Sequence, residues 1–101
     1  MDLGLSGKKA IVTGGSRGIG HAILQNLVDE GVSVATCARG EEALNAALEK
    51  WQAQGVDAYG SALDVTDGAA FTDWLESSVE SLGGVDVFVS NVTTRVHSQG
   101  V

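Results

Sequence analysis

Proline is absent from the 101 residues, which excludes the Pro-rich linkers and collagen-like repeats that depend on it. Punctuation falls instead on 14 glycines. A single cysteine, Cys37, cannot close an intramolecular disulfide, which suits a reducing compartment, and the chain reads as cytoplasmic. No apolar run approaches the roughly 18 residues that a membrane span needs, and residues 1–9 hold no signal-like apolar stretch. No membrane partner is expected. Basic residues are scarce: six Lys plus Arg against 13 Asp plus Glu give a formal charge of −7. Such a surface repels a phosphate backbone, so nucleic acid is not an expected partner. His21 and His97 have no cysteine or carboxylate at ligand spacing; both read as surface residues, and no metal site is expected.

What is present describes one globular domain over residues 1–101. Apolar residues make up 44% of the chain and charged residues 19%, enough to bury a core. The charge is unevenly placed. Residues 1–40 set Lys8, Lys9, Arg17 and Arg39 against Asp2, Asp29 and Glu30, whereas residues 41–101 set only Lys50 and Arg95 against ten acids. A bound anion therefore belongs near the N-terminal half.

Short apolar runs alternate with longer helical patterns. Residues 9–13 (KAIVT), 32–38 (VSVATCA), 57–63 and 85–92 (VDVFVSNV) have the length and β-branched content of strands. Between them lie three helical patterns. The first, over residues 18–30, repeats Ile19, Ile23 and Leu27 with Ala22 beside them, and Gly31 follows. The second places Leu44, Ala47, Leu48 and Trp51 on one face behind Glu41 and Glu42, and Gly55 stops it. The third, after the turn Asp64-Val65-Thr66-Asp67, aligns Ala70, Phe71, Trp74, Leu75, Val79 and Leu82 before Gly83 and Gly84. The order βαβαβαβ predicts parallel strands and a doubly wound α/β fold of Rossmann type, with both tryptophans and Cys37 in the core.

The segment that carries chemistry is Thr13-Gly14-Gly15-Ser16-Arg17-Gly18-Ile19-Gly20, between the first strand and the first helix. A helix N-terminus offers unsatisfied N–H groups and partial positive charge, which hold a pyrophosphate if nothing bulky blocks the backbone. Gly14 permits the tight turn, Gly18 lets a ligand approach and Gly20 lets the helix pack on the strand. There is no Gly-Lys-Ser/Thr, which argues against a P-loop. Asp64 has two readings: an acceptor for an exocyclic amine, or a local turn or helix cap.

With these residues in place, the chain resembles the N-terminal part of a short-chain dehydrogenase/reductase. The match rests on TGGSRGIG at residues 13–20, Asp64-Val65 after the third strand and Asn91 at the end of the fourth, and it covers residues 5–92. The resemblance implies a dinucleotide-binding domain in which Gly14, Ser16, Arg17, Gly18, Ile19 and Gly20 hold the cofactor. It also implies that Asp64 and Val65 contact the adenine, with Asn91 where the fourth strand meets the cofactor.

An NAD-specific site needs a carboxylate at the end of the second strand, and the sequence there is Cys37-Ala38-Arg39-Gly40. Arg39 is placed to meet a 2′-phosphate, and Arg17 resembles the basic residue at that position in NADP-preferring members of the family, so NADP(H) is the preferred cofactor and NAD(H) the other candidate.

The family's tyrosine, its lysine four residues later and an upstream serine are not found. The only tyrosine, Tyr59, is followed at that spacing by Leu63, so no catalytic residue is assigned and the chain alone is expected to be inactive. Two functions follow: the cofactor-binding half of an oxidoreductase acting on a small carbonyl or alcohol, or a non-catalytic dinucleotide-binding or interaction module. An apolar fourth strand with nothing after it to pair its edge predicts a homo-oligomer.

Overall fold

The structure is a computed structural model, and it describes residues 7–14, 18–64 and 66–90. Seven elements follow one another: β1 (Lys9–Thr13), α1 (Gly18–Asp29), β2 (Ser33–Ala38), α2 (Glu41–Ala53), β3 (Ala58–Ala62), α3 (Gly68–Leu82) and β4 (Val87–Val89). The strands form one parallel sheet in the order β3-β2-β1-β4. This is the expected α/β architecture, with β1 in the interior and the chain reversing direction across the sheet beside it.

Alternation along the strands divides the core into two layers. Ala10 and Val12 of β1 and Val34 of β2 face α1 and α2, where Leu24, Val28, Leu44, Leu48 and Trp51 complete one cluster. Ile11, Ala35 and Cys37 point the other way and meet Trp74 and Leu82 of α3. Each layer holds one tryptophan. The structure bears out the core assignment of both tryptophans and of Cys37. Among the described residues no helix is long and apolar enough to cross a membrane.

Helix ends follow local chemistry. The Asp67 side chain accepts from the Ala70 amide and caps α3, while Glu41 and Glu42 at the start of α2 and Lys50 in its last turn complement the helix dipole. At the end of α3, Gly83 and Gly84 both donate to the Val79 carbonyl, closing the helix as the sequence predicts.

Four expectations need correction. The buried stripe of α1 is Gly20, Leu24 and Val28; Ile23 and Leu27 are partly buried, Ala22 is exposed and Ile19 is 69% exposed. Gly20 is buried, and Leu24 and Val28, four and eight positions on, share its face of the helix. On α3 the stripe is Trp74, Ser78 and Leu82, and Val79 turns to solvent. Among the described residues the fourth strand is Val87–Val89, so it starts two residues later than expected. At its entry the Asp86 side chain accepts from the Lys9 amide (2.9 Å) while the Asp86 amide donates to the Lys9 carbonyl (2.8 Å), so a side chain stands in for the ladder. His21 is half-buried, not a free surface side chain: its ring lies 5.3 Å from that of Trp51, and its buried Nδ1 has no partner among the described residues.

Candidate functional site

Because all four strands run the same way, their carboxyl ends share one edge of the sheet. Three of them deliver the candidate residues there: β1 leads to Gly14, β2 to Arg39 and β3 to Asp64. β1 lies between β2 and β4, and the chain leaves it through α1 on one face while α3 covers the other. A crevice at such a reversal is where open α/β sheets take their ligands.

The turn into α1 is shaped by glycine. Gly14 and Gly18 have φ of 70° and 68°, a region that side chains with a Cβ rarely occupy. The Gly14 amide donates to the Cys37 carbonyl at 2.8 Å, which ties the start of the turn to the end of β2. Among the described residues a Cβ built on Gly18 would meet nothing within 4 Å, so none of them blocks the approach to the first turn of α1. The N-terminal N–H groups of that helix and the exposed Ile19 side chain flank this space. The donor set and the open approach fit a dinucleotide pyrophosphate.

The adjacent strand ends bring Arg39 and Asp64 together. Pairing of β2 with β3 runs to Ala38 and Ala62, and the Leu63 amide extends it by donating to the Ala38 carbonyl (2.9 Å). Both side chains are exposed. The Thr66 amide (2.9 Å) and hydroxyl (2.7 Å) both donate to Oδ1 of Asp64. These bonds hold the Asp64 carboxyl below its usual range, and the Arg39 guanidinium adds a smaller pull in the same direction. Within the local reading of Asp64, the turn is present, but the α3 cap belongs to Asp67.

Gly14, Gly18, Ile19, Gly20, Arg39 and Asp64 thus gather at or beside one edge, with Gly20 buried beneath it. Ser16, Arg17, Val65 and Asn91 lie outside the described residues. Sequence reasoning did not single out Thr66, although a threonine two residues after an aspartate is a familiar partner in such turns. It also overlooked the Cys37 carbonyl, a main-chain contact that no side-chain pattern announces. Among the described residues no group of His, Cys, Asp and Glu is disposed to hold a metal.

Comparison with known proteins agrees with this geometry. The sequence pattern of the short chain dehydrogenase family matches residues 8–100. A tropinone reductase homologue of Arabidopsis thaliana is 38% identical over 102 residues, covering 96% of this chain and 37% of the relative. L-sorbose reductase from Gluconobacter frateurii, solved with NADPH and L-sorbose, superposes with a TM-score of 0.84 at 33% identity, over 100% of this chain and 40% of that one. An NAD+-bound xylitol dehydrogenase gives 0.78 at 32% identity, over 83% and 32%. The chain therefore spans about a third to two fifths of the length of such relatives. Fold, glycine turn and family pattern coincide, and the chain belongs to the short chain dehydrogenase family.

Proposed function

We propose that these residues are the cofactor-binding part of an oxidoreductase that moves a hydride between a nicotinamide dinucleotide and a small carbonyl or alcohol. The observation that carries this reading is the convergence of an open glycine turn, a helix N-terminus and the Arg39 and Asp64 side chains on one sheet edge. The solved relatives support it, since one holds NADPH and another NAD+. When bound, the nicotinamide ring supplies or accepts the hydride.

The residues of this chain bind and orient. Main-chain N–H groups at the start of α1 take the pyrophosphate, with Ser16 and Arg17 contributing from the turn. Asp64 and Val65 take the adenine, and Asn91 is assigned the contact of the fourth strand with the cofactor. Arg39 selects NADP(H), because a guanidinium attracts a 2′-phosphate and β2 ends without the carboxylate that a free ribose requires. Tyr59, the one tyrosine, is in β3 with Leu63 four residues on, so proton donation to the substrate falls to residues outside these 101.

The test is a calorimetric titration of NADPH and NADH against the wild type and Arg39→Asp. NADPH should bind the wild type more tightly. The substitution should cost roughly tenfold to a hundredfold in NADPH affinity, with exposure of Arg39 favouring the lower figure. Tighter NADH binding by the wild type, or an unchanged NADPH affinity in the variant, removes the assignment of Arg39. Failure of both cofactors to bind removes the cofactor reading itself.

A further inference from the structure

We infer that Thr66 is the positioning residue of the adenine subsite: by holding Oδ1 of Asp64 it aims the carboxylate at a purine 6-amino group and selects amino-purine over oxo-purine dinucleotides. This rests on the cofactor reading above and concerns how the base is chosen. Both Thr66 donors fall on one oxygen, at 2.9 and 2.7 Å, so the plane and direction of the carboxylate are set from one side. Among the described residues Oδ2 is left without a partner. The helix does not compete for it, because Asp67 caps α3 through the Ala70 amide at 3.2 Å. Asp64 is exposed at the carboxyl edge, beside Arg39 on the neighbouring strand end.

An ionised carboxylate only accepts. Adenine offers it the two N–H donors of its 6-amino group, whereas hypoxanthine turns a carbonyl oxygen toward it, acceptor against acceptor. The same orientation makes a further demand. In Asp64→Asn the two Thr66 donors still require an oxygen, so the amide is locked with its carbonyl toward Thr66 and its NH₂ toward the base. That variant should invert the preference.

The experiment titrates the 101-residue chain with NADPH and with deamino-NADPH, which carries hypoxanthine. Circular dichroism verifies the fold of each variant. The wild type should favour NADPH by roughly tenfold or more. Asp64→Asn should favour deamino-NADPH. Thr66→Val keeps the shape but loses the hydroxyl, so the wild-type ratio should shrink by about threefold or more; Thr66→Ser should restore it. A merely structural Thr66 would weaken both ligands equally. If NADPH binds and the ratio is the same in Thr66→Val as in the wild type, or Asp64→Asn keeps the NADPH preference, the role of Thr66 is wrong while the cofactor reading stands. If neither ligand binds the folded wild type, both fall.

Discussion

Gly60 in β3 pairs with Thr36 of β2, and α2 closes over it so tightly that a Cβ there would stand 2.9 Å from Leu48 Cδ1 and 3.1 Å from Leu44 Cδ1. Its backbone is not in the left-handed region, so alanine brings a steric cost and no dihedral strain. Overpacking a core typically costs about 1 to 3 kcal/mol. Restricting the unfolded chain returns about 0.4 to 1 kcal/mol. Gly60→Ala should therefore destabilise by about 1 to 2 kcal/mol, lowering the melting temperature by roughly 4 to 16 °C for a domain of this size. Leu44 is 1% exposed and fixed, whereas Leu48 at 9% lies at the margin, so Leu48 must be the residue that gives way. A double-mutant cycle with Leu48→Ala isolates that contact. Leu48→Ala alone is expensive, but in its background Gly60→Ala should cost nothing or gain up to about 1 kcal/mol, a coupling of about 1 to 3 kcal/mol. Urea unfolding followed by tryptophan fluorescence reads every corner of the cycle. An equal cost for Gly60→Ala in both backgrounds would refute the steric account.

Two further perturbations concern β2. Thr36 is fully buried and its hydroxyl has no partner among the described residues, so Thr36→Val should stabilise by about 1 kcal/mol. Calorimetry should show a melting temperature raised by roughly 4 to 8 °C; a fall of similar size would mean that the hydroxyl is paired. Burial pushes the Cys37 thiol up, so the native protein should resist thiol reagents that label the unfolded chain at once. The sign follows from linkage: a raised folded pKa stabilises fully below the unfolded value of about 8.5 and loses that contribution as pH rises toward the folded one. Urea midpoints measured from neutral to alkaline pH should thus fall more steeply for the wild type than for Cys37→Ala, and parallel curves would contradict the shift.

Much of the fold was legible because a few segments admit one reading. In α2 the large apolar residues Leu44, Leu48 and Trp51 lie with Ala47 on one face among polar residues and alanines, and all four are buried. In α1, Ile19, Ile23 and Leu27 compete with Leu24 and Val28 for the inward face. The buried face is the one that carries Gly20, and which face turns inward is a tertiary fact. The start of β4 is likewise decided by Lys9, at the far end of the chain, through its bonds to Asp86. At the site, the glycine turn was readable from its position between strand and helix. Asp64 and Asp67 both precede α3, however, and only the geometry reveals that Asp67 caps the helix while Thr66 occupies Asp64. His21 escaped notice because its partner, Trp51, belongs to the next helix.

The interior position of β1 also bears on the order of assembly. Ile11 finds one neighbour, Ala35, in the very next strand, but its other neighbour, Phe88, only after two further helices have been made. Closing the longer loop costs about 1 kcal/mol more in chain entropy. During synthesis the nascent chain can fold β1, β2 and β3 with α1 and α2 while one flank of β1 is still bare. The strand that begins the domain is thus the last to be enclosed, and the glycine turn that leaves it stands beside an open flank until β4 arrives.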